Sequence, residues 1–300
     1  MNLLETKDLS KHYGKTRAID ELNLTLSAGE PIALIGPNGA GKTTFLSLLS
    51  GYIQPTRGSI SVLGHSPGSR ALQGELAALP QDAMLDPRFS IVRQIRFLAR
   101  LQGMSRGEAS VDTDRVLDLV QLRNAAHKKP SELSHGMRKR IAIAQMLLGN
   151  PKIALLDEPT AGLDPPNVRI IRDLISSNAG RTTFIVSSHN LDELEKVCRS
   201  VVFLSEGQLK GHMPIDEADD DDGYLSIRVP GVDADEFIAT VSAIPGINSV
   251  TRQEQGDFVI RYEIQGYPAM DQSVLQLLQN HSWRYRHLIK GKTLEDKLFR

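Results

Sequence analysis

The stretch Gly36-Pro37-Asn38-Gly39-Ala40-Gly41-Lys42-Thr43-Thr44 decides the fold of this chain. It fills the pattern G-x-x-x-x-G-K-[ST] between an apolar run over residues 31–35 and a helical pattern over residues 44–50. Glycines let the backbone turn tightly and point several N–H groups at one anion, and the helix that follows directs its positive end at the same anion. The stretch therefore predicts a strand, a phosphate-binding loop and a helix. The alternative is a glycine-rich turn that only ends a strand.

The side chains of this loop predict a nucleoside triphosphate with its metal. Lys42 is expected to place a point charge between the β- and γ-phosphates, and the Thr43 hydroxyl to complete the coordination of Mg²⁺. The residues predicted to bind the nucleotide here are Gly36, Asn38, Gly39, Gly41, Lys42, Thr43 and Thr44.

A second motif ends another apolar run. Residues 153–156 are typical of a buried parallel strand, and Asp157 and Glu158 follow directly. Side chains alternate along an extended strand, so the two carboxylates are expected to point in different directions. Asp157 is predicted to bind Mg²⁺ with its water shell, and Glu158 to orient or deprotonate the attacking water.

Further motifs decide the class of nucleotide-hydrolysing protein. Leu133-Ser134-His135-Gly136-Met137 precedes a helical pattern over residues 138–148, with Ser134 as the predicted N-cap. The others are Tyr13 near the start, Gln81 after the apolar run 76–79, Asp164 at the end of Ala161-Gly162-Leu163-Asp164, and His189 after the strand-like run 183–187.

In this order the motifs resemble the ATP-binding subunits of ATP-binding cassette (ABC) transporters, over residues 3–211. The resemblance implies an α/β fold of the P-loop nucleoside triphosphatase (RecA-like) class, with ATP as the nucleotide. It implies that Tyr13 stacks on adenine, and that Gln81 links the γ-phosphate and its metal to the membrane partner. His189 would touch the γ-phosphate and hold the catalytic geometry together with Glu158.

The resemblance also implies a dimer that encloses two ATP molecules. Ser134 and Gly136 would contact the nucleotide bound by the opposing subunit, and Asp164 would lie across the interface. A second helix N-terminus then closes the face of the γ-phosphate that one phosphate-binding loop leaves open. A homodimer and a heterodimer with another cassette both satisfy this arrangement.

One variation points to a subgroup. The commonest family form of the signature is Leu-Ser-Gly-Gly-Gln, whereas this chain has Leu-Ser-His-Gly-Met and keeps Ser134 and Gly136. Met at the last position, Met137, resembles ABC-2-type exporters, whose cassettes are separate from their integral membrane permease subunits. The alternative is an ABC ATPase that acts on the ribosome or on nucleic acid without a membrane partner.

Arg93 is a second variation, in a predicted helix that usually carries an acidic residue near this position and lies beside the membrane subunit. One interpretation is that the partner offers an acidic contact residue. The other is an ordinary solvated arginine, because exposed charges are common and individually weak.

The composition agrees with a soluble, cytoplasmic, two-domain chain, and the resemblance implies a peripheral position at the cytoplasmic face of the inner or plasma membrane. The chain has 300 residues with 40% hydrophobic content, and no apolar run approaches the 18 or so residues that span a bilayer. We therefore expect any transport path to belong to another chain. A net charge of −1 argues against nucleic-acid binding. Cys198 is the single cysteine and is predicted to be a buried structural thiol.

The resemblance implies that residues 1–212 form an ABC ATP-binding domain, and strand-like and helical runs predict its α/β layout. Residues 90–149 are mostly helical and predict a helical subdomain, with period-3.6 spacing at Val116, Leu119 and Val120 and again over residues 141–148. The predicted strands of the α/β core cover residues 22–26, 31–35, 58–63, 76–79, 153–156, 182–187 and 200–205.

The remaining residues predict a separate accessory domain. Residues 213–223 are rich in aspartate and are expected to form a solvated linker. Residues 224–300 predict a ferredoxin-like α+β domain in the order βαββαβ, with a turn at Gln255-Gly256 and a closing helix over residues 293–299. Residues 283–289 are predicted to be its last strand, with alternating aromatic side chains on one face.

Overall fold

The computed structural model describes residues 2–80, 84–215, 222–253, 256–264 and 266–291. The chain divides into two compact units, Met1–Ile215 and Asp216–Arg300. The first unit begins with β1 (Asn2–Tyr13), β2 (Thr16–Ser27), β3 (Ile32–Ile35), α1 (Lys42–Leu49), β4 (Arg57–Val62), β5 (Leu76–Leu79), α2 (Ile91–Leu101) and α3 (Arg106–Leu119). It continues with α4 (His135–Met146), β6 (Ile153–Asp157), α5 (Pro165–Asn178), β7 (Thr183–Ser187), α6 (Leu191–Glu195), β8 (Ser200–Ser205) and β9 (Gln208–Pro214).

The central sheet of the first unit has the strand order β5-β6-β7-β3-β8-β9. Its strands pair in parallel, except that β9 runs antiparallel to β8. Every residue of β3, β6 and β7 is buried, which is why these strands are almost continuously apolar in the sequence. Because β6, β7 and β3 are neighbours, the segments that follow them meet at one edge of the sheet.

A separate antiparallel sheet has the order β2-β1-β4. The predicted strands 22–26 and 58–63 belong to this sheet, and their assignment to the α/β core is therefore wrong. Its middle strand β1 was not among the predicted strands. The register of β1 shifts between Thr6 and Leu9, and Asp8 has φ 47°. This irregularity breaks the alternation of apolar and polar residues on which strand prediction depends.

Helices α2, α3 and α4 form the predicted helical region between β5 and β6. Ile95 on α2, Val116 on α3 and Ile141 on α4 are fully buried, which confirms the period-3.6 pattern, although Leu119 is only partly buried. Helix α4 begins at His135, three residues before the predicted start. Within the described ranges, no helix has the length and apolar character that crossing a membrane requires.

The second unit follows the predicted element order. It contains β10 (Asp222–Arg228), α7 (Ala234–Ser242), β11 (Ile247–Arg252), β12 (Phe258–Glu263), α8 (Met270–Asn280) and β13 (His287–Lys290). Its antiparallel sheet has the order β11-β12-β10-β13. Leu225 and Ile260 of this sheet lie in one buried apolar core with Phe237 of α7. The predicted closing helix, Gln255 of the predicted turn and residues 216–221 of the predicted linker lie outside the described residues.

The predicted strand over residues 283–289 is wrong in its first half. The strand begins only at His287, because α8 extends to Asn280 and the chain then turns through Ser282 at φ 56°. The backbone N–H of Trp283 donates to the Leu278 carbonyl at 2.9 Å. The centroid of the Trp283 ring lies 5.5 Å from that of the Phe237 ring. Trp283 therefore closes the end of α8 and does not belong to an aromatic strand face.

Candidate functional site

The phosphate-binding loop is held close to the neighbouring backbone. Gly36, Gly39 and Gly41 have φ values of 151°, 82° and 102°. A Cβ at Gly36 would lie 2.1 Å from the Leu204 carbonyl oxygen, and one at Gly41 would lie 2.4 Å from that of Ala18. The loop therefore needs glycine here both for its backbone conformation and for space.

A Gly36→Ala variant is expected to unfold at a lower temperature than a Gly39→Ala variant. Both positions have positive φ, which strains an alanine by about 1–3 kcal/mol. Only Gly36 adds a backbone clash, because nothing lies within 4 Å of a Cβ at Gly39. Thermal unfolding of the two variants beside the native chain measures the difference. Equal melting temperatures would contradict the steric argument.

Lys42 lies at the start of α1, immediately after the loop. Its side chain is 9% exposed, and Nζ donates hydrogen bonds to the carbonyls of Gly36 at 2.7 Å and Pro37 at 3.1 Å. The first turn of α1 contains no acidic residue, so the positive end of the helix is not neutralised locally. Asn38 and Gly39 are exposed at the tip of the loop. This arrangement suits a phosphate group.

Thr43 and Asp157 line the same groove, together with Leu79 and Pro80 at the end of β5. Thr43 is exposed, whereas Thr44 is half-buried. A hydroxyl and a carboxylate are the hard oxygen ligands that Mg²⁺ prefers, so this pair fits the predicted metal. Gln81, the other residue predicted to contact the metal, lies outside the described residues.

Asp157 ends β6 and is 5% exposed. The Ser187 hydroxyl at the end of β7 donates to its Oδ1 at 2.5 Å. The next residue, Glu158, has left the strand and has φ 47°. The two carboxylates contact different partners, Ser187 and His189, and the predicted reason for their separation, alternation along an extended strand, is wrong because Glu158 lies in a left-handed turn after the strand.

Glu158 contacts His189. Its Oε2 lies 3.0 Å from His189 Nδ1, and the carboxylate side chain is 15% exposed while that of the histidine is 70% exposed. Asn190 caps the short helix α6 directly after His189, since its side chain accepts the N–H of Glu193. The structure thus brings the two predicted catalytic residues together at the sheet edge that carries Asp157.

Ser134 caps α4, as predicted, because its Oγ accepts the N–H of Met137 at 3.2 Å. Gly136 is buried against Asn167 of α5, whose Nδ2 would lie 2.5 Å from a Cβ at Gly136. Asn167 also donates a short hydrogen bond to Asp164 Oδ1. Among the described residues, no hydrogen bond joins Ser134 or Gly136 to the phosphate-binding loop.

Tyr13 ends β1 and is 51% exposed. Lys11 Nζ lies 5.2 Å from the centroid of the Tyr13 ring. The face of an exposed aromatic ring is available to stack on a planar group.

Two residues were missed by the sequence analysis, Ser187 and Asn167. Ser187 is the last residue of a buried strand, two positions before His189, and a polar residue in that position is the signal that could have identified it. Asn167 has no comparable signal, because its contact with Gly136 connects different helices.

Cys198 is buried, as predicted, with 1% exposure. Burial raises the pKa of its thiol to about 12. The thiol therefore stays protonated and unreactive at neutral pH.

Comparisons with known proteins identify similar chains. The family described as "ABC transporter" matches residues 19–161. A Nod factor export ATP-binding protein I of Cupriavidus pinatubonensis is 33% identical over 246 residues, which are 81% of this chain and 76% of that protein. The linearmycin resistance ATP-binding protein LnrL of Bacillus subtilis is 29% identical over 261 residues, covering 84% and 83% of the two chains. A solved ATP-binding subunit of an ABC transporter aligns with a TM-score of 0.64 and 29% identity, over 71% of this chain and 90% of that one.

Proposed function

Since the chain belongs to the ABC transporter family of ATP-binding subunits, we propose that it hydrolyses ATP as a dimer to drive export through a separate membrane permease subunit. The observation that carries this proposal is the pairing of Glu158 with His189 beside the groove of Thr43 and Asp157. A base, its positioning partner and two metal-ligand candidates lie at the carboxyl ends of neighbouring strands.

Glu158 acts on the attacking water. Its carboxylate is mostly shielded from solvent, and His189 holds one of its oxygens. The other oxygen can accept a proton from a water molecule that lies between it and the γ-phosphate. His189 is itself well exposed, so its second ring nitrogen is accessible to the phosphate when the site is occupied.

Lys42 and the loop N–H groups bind the phosphates. Lys42 exchanges the carbonyls of Gly36 and Pro37 for phosphate oxygens, which form stronger, charge-assisted hydrogen bonds. Thr43 and Asp157 would hold Mg²⁺, which neutralises charge on the β- and γ-phosphates when it is bound.

The positions of the signature residues support a dimer. Ser134 and Asp164 are exposed, and Gly136 and Asn167 join the segments that carry them. The N-terminus of α4 is therefore open to a phosphate on another chain. We propose that two chains, identical or related, each offer this surface to the ATP of the other and enclose two ATP molecules.

The partner and its location rest on helix α2 and on the relatives. Arg93, Arg96, Phe97 and Arg100 are exposed along one face of α2. A mixed basic and apolar face suits a protein partner. The two relatives are named for export and for drug resistance, which does not favour the ribosomal or nucleic-acid alternative. We place the chain at the cytoplasmic face of the membrane, bound peripherally to its permease.

Copurification tests this proposal. The tagged native chain would be isolated from detergent-solubilised membranes of its host, and the accompanying proteins identified by mass spectrometry. A polytopic membrane protein in near-equal amount is the expected result. Recovery of ribosomes or soluble proteins alone would contradict the export function and leave the ATPase activity intact.

Charge reversal at Arg93 tests the partner surface. Arg93 is exposed and lies over the Phe89 ring, with Cζ 4.7 Å from the centroid. If the permease contacts it with an acidic residue, Arg93→Glu should weaken the complex about tenfold, because it replaces attraction by repulsion. The amount of permease recovered with the chain measures the effect.

Arg181→Glu is the matched control. Arg181 is also an exposed arginine, but it lies just before the amino end of β7 and not on α2. The ATPase activity of the isolated chain should be unchanged in both variants. Equal recovery of permease with both variants would support the solvated-arginine interpretation of Arg93.

A further inference from the structure

The Ser187 hydroxyl lies between the two carboxylate residues of the site. Ser187 is the last residue of β7 and is fully buried. Its Oγ donates to Asp157 Oδ1 at 2.5 Å and accepts the backbone N–H of Glu158 at 3.0 Å. One hydroxyl therefore contacts the side chain of the metal-ligand candidate and the backbone of the base.

These two hydrogen bonds restrain the backbone conformation of Glu158 and the orientation of the Asp157 carboxylate. Glu158 has φ 47°, a conformation that residues other than glycine rarely adopt. Its N–H also reaches the Ser187 carbonyl at 3.2 Å, which is the weaker contact by distance. Asp157 is buried, and a buried carboxylate needs a donor to fix its orientation.

We infer that Ser187 is a positioning residue for ATP hydrolysis, which sets Asp157 for the metal and Glu158 for the water through one hydroxyl. This inference rests on the proposed function. Because the hydroxyl serves both residues, the two are coupled: a rotation of the Asp157 carboxylate that breaks its bond to Ser187 also loosens the Glu158 backbone. Glu158 in turn carries the carboxylate that contacts His189.

The surrounding backbone keeps this role separable from folding. Asp157 and Ser187 are paired in the parallel register of β6 and β7. Beyond them, the Thr160 hydroxyl donates to Glu193 Oε2 at 2.9 Å and joins the same two segments. Removal of the Ser187 hydroxyl therefore leaves the strands and this second contact in place.

The test compares Ser187→Ala with Ser188→Ala in the full-length chain. Ser188 is the adjacent buried serine, and its Oγ accepts the N–H of Asn190 at 3.0 Å. We expect Ser187→Ala to lower kcat about 10- to 100-fold and to raise the Mg²⁺ concentration for half-maximal activity several-fold. The KM for ATP should change less than about twofold, because the phosphate-binding loop is untouched. Ser188→Ala should change none of these values by more than about twofold.

Amide hydrogen exchange gives a readout that needs neither nucleotide nor metal. In the nucleotide-free chain, the Glu158 amide should exchange about tenfold faster in Ser187→Ala than in the native chain or in Ser188→Ala. If Ser187→Ala does not fold, Ser187→Cys replaces it, since a thiol fills similar space but is a weak donor. The same changes are then expected.

Equal kcat, Mg²⁺ dependence and amide exchange in the Ser187 and Ser188 variants would overturn the inference. A loss of kcat without any change in Mg²⁺ dependence or amide exchange would overturn it too, because the hydroxyl would then act elsewhere. The amide exchange is measured without turnover, so failure of the proposed export function leaves its outcome unaffected.

Discussion

A Glu158→Gln variant is expected to bind ATP with native affinity and to hydrolyse it about 10²- to 10⁴-fold more slowly. The amide keeps the shape of the side chain but cannot accept a proton from the attacking water. It can still contact His189, which lies 3.0 Å from Glu158 Oε2, so the site should stay assembled. Single-turnover hydrolysis and equilibrium ATP binding measure the two properties separately.

The oligomeric state of Glu158→Gln gives a second measurement. If hydrolysis opens the dimer, a chain that binds ATP without cleaving it should accumulate as an ATP-bound dimer. Size-exclusion chromatography with and without ATP detects this shift. Glu30→Gln is the matched control, because Glu30 is exposed in the loop before β3. Native turnover in Glu158→Gln would show that another residue is the base.

A Lys42→Ala variant is expected to lose most of its affinity for ATP. Lys42 supplies a positive charge at the phosphate-binding loop and is held there by two backbone carbonyls. A charge-assisted hydrogen bond contributes about 1.5–3 kcal/mol, which corresponds to a Kd raised at least about tenfold and up to more than a hundredfold. Isothermal titration of ATP into the purified chain measures the Kd directly.

Lys152→Ala is the control for this experiment. Lys152 is a surface lysine before β6, whose Nζ lies 2.9 Å from Glu75. It carries the same charge away from the loop, so its removal should leave the Kd for ATP unchanged. If Lys42→Ala bound ATP as tightly as the native chain, the loop N–H groups alone would account for phosphate binding.

The inner strands of the central sheet were predictable because they are buried on both faces. Residues 153–156 and 184–186 are continuous apolar runs for that reason, and the predicted strands 153–156 and 182–187 are confirmed as β6 and β7. The phosphate-binding loop was predictable because its glycines are required by backbone geometry and by close contacts. Burial and backbone geometry of this kind restrict which residue types can occur at a position, so they can be recognised in the sequence.

Two strand predictions failed, one because the alternation of apolar and polar residues is interrupted and one because an alternating segment does not form a strand. Strand β1 has a register shift beside Asp8, which removes its alternation. Residues 283–286 look like a strand but follow the end of α8, where Trp283 packs on Phe237. Tertiary packing decided the second case.

The contacts that connect distant segments could not be predicted from the sequence. Ser187 contacts Asp157 across 30 residues of chain, and Thr160 contacts Glu193 across 33. Each is an ordinary polar residue whose partner is known only when the strands are paired. The motifs predict the reacting groups, whereas the residues that hold them are defined by the fold.

The state of Cys198 makes the chain suitable for site-specific labelling. It is the single cysteine of the sequence, it is buried, and its pKa of about 12 keeps the unreactive thiol form at neutral pH. A cysteine introduced at an exposed position such as Pro166, close to Asp164, would be the preferred target of a spin label or fluorophore. Distances between two such probes could report the closing and opening of the proposed dimer during turnover, in a protein that needs no other substitution.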